Sequence, residues 1–393
     1  MKILVINSGS SSIKFQLLAM PKGDVIAKGL IERIGFNDAI INYNTQEESL
    51  KVVEAIKNHQ VGLKRIAELL LDKKNGVLQS ADEILAVGHR VVHGGSVFTK
   101  TTIITPKVKK AIKDLSFLAP LHNPANLLGI EVAEEIFSHA KQVAVFDTAF
   151  HQTIPEVAHR YAIPNEFYEK DHVRLYGFHG TSHQYVANKA IQFLKKENSK
   201  IITIHLGNGC SMTAIKNGKS IDHSLGFGPM NGLIMGTRSG DIDQSVVLFL
   251  AQKLNYSIDE ISNLLQKKSG MLGLTGMSDL RDIETAGENG DKMANLALEM
   301  NAYRIKKYIG SYIAIMNGLD AIVFTAGIGE NSDVIRKLVC SDLSYLGIDL
   351  DQEKNSIRSK EIRTIQTDNS KVQILIVPTN EELEIATQVF KLI

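Results

Sequence analysis

At 393 residues the chain is two to three times the roughly 150 residues of a typical domain, so more than one core is expected. Hydrophobic residues at 44% and charged residues at 22% exclude a disordered, collagen-like or coiled-coil protein. With 44 Lys and Arg against 43 Asp and Glu, the formal charge of +1 gives no global field for nucleic acid or an anionic membrane surface, though local Arg and His clusters can still bind small anions.

From the amino terminus, the apolar run at residues 3–6 is too short for the core of a signal peptide, and no stretch of about 18 apolar residues follows anywhere. The two cysteines, Cys210 and Cys340, make neither a disulfide framework nor a zinc tetrahedron. A cytoplasmic location is expected. Short β-rich runs at residues 3–6, 13–18, 84–87, 143–146, 201–205, 212–215, 321–324 and 374–377 alternate with helix-period segments, which predicts an α/β fold with mixed or parallel sheets. Leu63, Ile66, Ala67 and Leu70 line one core-facing helix, and Leu298, Ala302, Ile305 and Ile309 another that Gly318 is expected to stop. Asn217-Gly218 between apolar runs predicts a two-residue hairpin. The segments starting at Ile3 and at Ile201 both read strand, Gly/Ser turn, strand. Two readings stay open, a duplicated domain with a phosphate-facing loop in each copy or an accidental pair of hairpins, and only this repeat suggests a boundary near residue 150.

Three Gly-rich segments directly follow strands: Asn7-Ser-Gly-Ser-Ser-Ser-Ile-Lys14, Leu206-Gly-Asn-Gly-Cys-Ser211 and Ala326-Gly-Ile-Gly-Glu-Asn331. Their exposed backbone N–H groups suit anions, and the carboxyl ends of strands are where ligands bind in open α/β sheets. None is a Walker A loop or a dinucleotide fingerprint. Asp147 follows a strand and either polarises a nucleophile, acts through a metal or caps its own turn. Arg90 and Arg238 sit among glycines, where ligand contact is the favoured role. The pairs His89/His93 and His179/His183 are read as lying in Gly-rich turns, which removes the meaning of their helical spacing and argues against a metal site; His179 suits donation to an anionic centre. His59, His139 and His159 are expected at the surface. Ser182 beside His183 lacks the GxSxG setting of a nucleophilic serine.

Together with Gly88-His-Arg-Val-Val-His-Gly-Gly95, Phe178-His-Gly-Thr-Ser-His183, His205-Leu-Gly-Asn-Gly209, Met235-Gly-Thr-Arg-Ser-Gly-Asp241, Phe324-Thr-Ala-Gly-Ile-Gly-Glu-Asn-Ser332 and Pro378-Thr-Asn-Glu-Glu382, these segments make the whole chain resemble the acetokinase family. Acetate and propionate kinases share most of these motifs and butyrate kinases fewer. The resemblance implies the duplicated, ribonuclease H-like α/β fold of the sugar kinase, heat-shock chaperone and actin superfamily. Residues 1–150 would form the first domain, with 382–393 returning to it, and 151–381 the nucleotide-binding domain. It also implies a homodimer and the reversible, Mg²⁺-dependent (or Mn²⁺-dependent) in-line transfer of the γ-phosphoryl group of ATP to acetate, giving acetyl phosphate and ADP.

Carried over by residue, the resemblance implies that Asp147, His179 and Arg238 are catalytic. Arg90 would bind the substrate carboxylate, in a pocket with Val92, Leu121, His122, Phe178 and Pro229. Lys14, His205, Leu206, Gly207, Asn208, Gly209, Asp279, Leu280, Arg281, Gly327, Ile328, Gly329, Glu330 and Asn331 would bind ATP, and Asn7 and Glu381 the metal. Val92 and Phe178 leave little volume, which favours acetate over propionate. The segment Gly226-Phe-Gly-Pro-Met-Asn-Gly232 departs from the family, which mostly carries Thr or Ser before this proline. Propionate kinase is the alternative with the same chemistry; a chaperone-like, actin-like or sugar-kinase activity would not need two arginines and a histidine converging on a small carboxylate.

Overall fold

The computed structural model describes residues 1–120 and 122–393. Leu121, expected in the substrate pocket, lies outside the described residues. The chain divides into two units, the first Met1–Phe150 with Asn380–Ile393 and the second His151–Thr379. No helix among the described residues is long and apolar enough to cross a membrane.

In the first unit, β1 (Lys2–Ser8), β2 (Ser12–Ala19), β3 (Asp24–Glu32), β4 (Ala39–Thr45), β5 (Ser49–Glu54), β6 (Ile84–Val91), β7 (Thr102–Ile103) and β8 (Lys141–Phe146) form one sheet. Its order is β5-β4-β3-β2-β1-β6-β8-β7. The strands β1 to β5 run as an antiparallel meander, while β6 and β8 are parallel to β1. The apolar run of β1 is continuous because both of its faces are covered. Leu4 and Ile6 pack with Leu63, Ile66 and Leu70 of helix His59–Leu71 and Val132 and Ala133 of helix Asn123–Ile136. Ile3 and Val5 pack on the other face with Ile385, Ala386 and Val389 of the last helix, Glu381–Leu392. Each buried aliphatic side chain there contributes about 1.5–3 kcal/mol. Asn380 caps that helix by accepting from the Leu383 N–H at 3.0 Å.

In the second unit, β9 (Lys200–Leu206), β10 (Cys210–Lys216), β11 (Lys219–His223), β12 (Ala321–Thr325), β13 (Arg363–Thr364) and β14 (Gln373–Ile376) take the order β11-β10-β9-β12-β14-β13. An antiparallel meander, two parallel strands and a short antiparallel edge strand recur in the same sequence as in the first unit. This repeated topology resolves the open question about the two hairpins in favour of a duplicated α/β fold. The Asn217-Gly218 turn has φ of 52° and 74°, as the hairpin requires.

Four expectations need correction. The segment Ala326–Asn331 is a short helix, not a loop, entered through Ala326 at φ 64°. The helix Lys292–Met316 is closed by Asn317 in the left-handed conformation, and Gly318 follows with its N–H on the Ile313 carbonyl. His183 lies inside helix Gly180–Leu194 with His179 at its N-cap, so their spacing is helical after all. His59 and His159 are buried rather than at the surface: His59 Nε2 bonds the Gly9 carbonyl, and His159 bonds the Ile154 carbonyl and the Tyr168 hydroxyl. Only His139 of those three is exposed.

Candidate active site

In the first unit, parallel pairing of β1, β6 and β8 brings the ends of three strands together. Arg90 on β6 donates from Nη2 to Asp147 Oδ2 and from Nη1 to Asn7 Oδ1 at 3.4 Å, and its Nε lies 3.9 Å from Glu381 Oε2. Asp147 is 1% exposed, its carboxylate pairs with Arg90 and its backbone N–H bonds the Val91 carbonyl. Burial pulls the Arg90 guanidinium down, but Asp147 and Glu381 more than offset this and raise it. Burial raises the Glu381 carboxyl, reinforced by Asp147 and Glu382 and opposed by Arg90. The Arg90 Nε–H is buried and has no hydrogen-bond partner among the described residues, a donor left for an anion. Lys14 pairs with Glu382 at 2.5 Å. Val92 is buried with its N–H on Asn126 Oδ1, and His122 stands at the N-cap of helix Asn123–Ile136.

In the second unit, five histidines gather behind the strand ends of β9 and β10. His179, held at φ 55°, places Nδ1 2.8 Å from Ser211 Oγ and stacks on the His205 ring at 4.5 Å. Ser211 Oγ also meets His183 Nε2 at 2.7 Å, and His183 Nδ1 meets Thr203 Oγ1 at 2.7 Å. Ser182 bonds His205 Nδ1 and Thr379 Oγ1, which occupies its hydroxyl in the interior. His223 accepts the Phe178 N–H, and His151 Nε2 donates to the Phe178 carbonyl, so the backbone preceding His179 is clamped from both sides. Burial drives the pKa of His183 and His223 well below the ordinary value, so both are neutral at pH 7. A Cβ placed on Gly209 would sit 3.5 Å from His179 Nε2, which puts this nitrogen beside the glycine loop. Arg238 donates to the Pro229 carbonyl at 2.9 Å, and burial lowers its pKa.

Beside these groups the second unit contains a cavity of about 660 Å³, the size of a small-ligand site. Leu206, Gly207, Asn208, Asp279, Leu280, Arg281, Gly327, Ile328 and Asn331, all expected to bind ATP, line it. His205, Gly209, Gly329 and Glu330 are not in its lining; Gly329 instead gives its carbonyl to Arg336, and Glu330 Oε1 accepts the Thr379 N–H. Asp279 caps helix Leu280–Glu288, and its hydrogen bonds to Arg281 lower its pKa to about 2. Glu284, Ser332, Asn301, Met271 and Arg358 also line the cavity. Ser332 closes the Gly-rich segment that starts at Phe324 and Glu284 lies one helical turn beyond Leu280, whereas Asn301, Met271 and Arg358 carry no such signal. Arg336, fully buried, fixes the short helix through Gly329 and Asn355, and burial lowers its pKa to about 10.

The acetokinase family pattern matches residues 2–387. The chain belongs to the acetokinase family. A Flavobacterium johnsoniae protein named acetate kinase is 63% identical over 393 residues, covering all of both chains. The crystal structure of Porphyromonas gingivalis acetate kinase is 46% identical, with a TM-score of 0.94 over 99% of each chain. That of a Francisella tularensis propionate kinase is 42% identical, with a TM-score of 0.93 over 98% of each. As a member of the acetokinase family the chain is a phosphotransferase enzyme. No group of three or more His, Cys, Asp or Glu side chains among the described residues forms a complete metal cage. Asn7 and Glu381 supply amide and carboxylate oxygens of the kind that suit Mg²⁺, which takes a few such ligands and completes its shell with water and phosphate. Burial first, and the neighbouring Asp147 and Glu382 after it, raise the Glu381 pKa, and a bound cation would oppose that rise.

Proposed function

We propose that the protein catalyses the reversible, Mg²⁺-dependent transfer of the γ-phosphoryl group of ATP to acetate, forming acetyl phosphate and ADP. The observation that carries this is the buried Arg90 guanidinium, whose Nε–H makes no hydrogen bond, set among Asn7, Asp147 and Glu381. It is a fixed cation with a donor to spare, suited to a small carboxylate. The relatives named acetate kinase support the same substrate.

An acetate oxygen, ionised at pH 7, attacks the γ-phosphorus while the bond to the β,γ-bridging oxygen breaks and its electron pair leaves on ADP. No proton needs removal, so Asp147 orients Arg90 and the metal site. Asn7 and Glu381 would hold Mg²⁺, which neutralises phosphate charge when bound. His179 and Arg238 supply donors for the equatorial oxygens, where charge resides in a loose transition state. We assign nucleotide binding to the second unit, with the base and ribose in the cavity lined by Asp279, Leu280, Arg281, Gly327 and Ile328 and the phosphates along Leu206 to Gly209; Lys14 is the phosphate contact expected from the first unit. Acetate is expected to be preferred over propionate, a discrimination of one methylene worth about 1–3 kcal/mol. Mn²⁺ is expected to replace Mg²⁺, and a cytoplasmic homodimer is the expected working form.

The test incubates the protein with ATP, Mg²⁺ and hydroxylamine, which traps acyl phosphates as hydroxamates. The highest yield with acetate supports the proposal. A propionate maximum moves the substrate one methylene up, and carboxylate-independent ADP release overturns it.

A further inference from the structure

A serine hydroxyl has one proton, and Ser211 Oγ lies between two imidazole nitrogens, His179 Nδ1 at 2.8 Å and His183 Nε2 at 2.7 Å. It can donate to one and must accept from the other. The proton positions of the two rings are therefore coupled: when His179 Nδ1 is bare, His183 Nε2 carries a proton, and the reverse. The far side of His183 meets Thr203 Oγ1 at 2.7 Å, a hydroxyl able to serve either arrangement.

We propose that Ser211 and His183 are positioning residues that lock His179 in the tautomer with its proton on Nε2, the nitrogen beside the glycine loop. The chain then runs in one direction. Thr203 donates to His183 Nδ1, His183 Nε2 donates to Ser211, and Ser211 donates to His179 Nδ1. The opposite direction would leave neutral His179 offering a lone pair from Nε2 to the phosphoryl oxygens, which repels them. The surroundings favour the neutral form of the chain. Ser211 and His183 are fully buried, and His151, His205 and His223 pack around them, so an added positive charge would be desolvated among imidazole rings. The same logic already operates on His223, whose Nε2 must accept from the Phe178 N–H and whose Nδ1 must then donate to Thr213. The coupling of the two rings follows from the hydrogen bonds alone, and the choice of direction rests on the proposed phosphoryl contact of His179.

The test is imidazole ¹⁵N NMR of the full chain with labelled histidine, the His179 signals assigned by their loss in His179→Gln. A bare Nδ1 and protonated Nε2 on His179 in the ligand-free wild type is the expected result. An imidazolium or an Nδ1–H tautomer overturns the proposal whatever the enzyme turns over. In Ser211→Ala the His179 signals should move toward a mixture of tautomers, kcat should fall about five- to tenfold and both KM values should hold. Ser211→Thr, which restores the hydroxyl, should recover both. Unchanged His179 signals in Ser211→Ala also overturn it, and if that variant does not fold the wild-type spectrum decides alone.

Discussion

The two units use one strand order to build chemically opposite interiors. Around Arg90 the first unit is ionic, with a buried guanidinium among Asp147, Glu381 and Asn7, and Lys14 on Glu382 nearby. Around His179 the second unit is neutral, a lattice of imidazoles and hydroxyls beside a glycine loop and a cavity. A full charge in the interior is tolerable only with a partner, so the ionic region is strong but brittle. A neutral network donates to anions without storing charge, and it demands instead that every proton be in place.

The largest effect should come from breaking the ionic side. Arg90→Ala leaves Asp147 buried without its cation, which is expected to cost about 3–5 kcal/mol in urea unfolding and to lower hydroxamate formation at least about a hundredfold. Arg90→Ala combined with Asp147→Ala should regain much of the stability and none of the turnover, because the stranded charge is gone but the anion site is not restored. A double variant as unstable as the single one would show that packing, not charge, sets the cost.

Acid probes both regions at once. His89 and His93 in the first unit have pKa values lowered to about 4 by burial, and His183 and His223 in the second are also lowered. The unfolded chain takes up protons near pH 6.5 while these folded imidazoles stay neutral. Their contribution is therefore complete above about pH 6.5 and is lost as pH falls toward 4, by up to about 1.4 kcal/mol per pH unit for each ring. Urea midpoints at pH 8, 7, 6 and 5 should be flat and then fall steeply, and His89→Leu should make that fall shallower by one proton. A midpoint constant from pH 7 to 5 would mean the folded rings do charge.

How much of this was legible follows from what each signal measures. Strands buried on both faces, such as β1 and β9, show as apolar runs, and positive-φ turns such as Asn217-Gly218 show by composition. The strands β3, β4 and β5 mix exposed and buried positions and carry polar residues, so they were missed as strands. Arg90 and Asp147 were readable in their local segments, whereas Asp279 to Arg281 were expected at the nucleotide only through the family resemblance. The Ser211–His183 link was not, because it joins residues 28 apart through a single hydroxyl, and no local pattern marks which serine lies between two rings. Burial of His59 and His159 was hidden for the same reason: each is made tolerable by a distant or irregular backbone carbonyl.

Two glycines sharpen the contrast at smaller scale. Gly88 on β6 faces the last helix, and a Cβ there would come within 2.9 Å of the Ile385 and Val389 methyls. These are branched side chains in a packed layer with nowhere to swing, so Gly88→Ala should cost about 1–3 kcal/mol while ATP affinity holds.

In the neutral unit the matching change should strike function instead of stability. A Cβ on Gly236 would lie 2.2 Å from Asn208 Oδ1, the free end of a side chain that lines the cavity. Asn208 can rotate away at a cost under about 1 kcal/mol, since its χ angles are soft and open space adjoins it. The rotation would take its amide out of the proposed nucleotide site and put a methyl group beside it. Gly236→Ala is therefore expected to shift the urea midpoint little and to raise the KM for ATP roughly five- to tenfold, with the KM for acetate unchanged. A large loss of stability would show that the Asn208 loop is as rigidly packed as the Gly88 contact. An unchanged KM for ATP would remove the Leu206 to Gly209 segment from nucleotide binding.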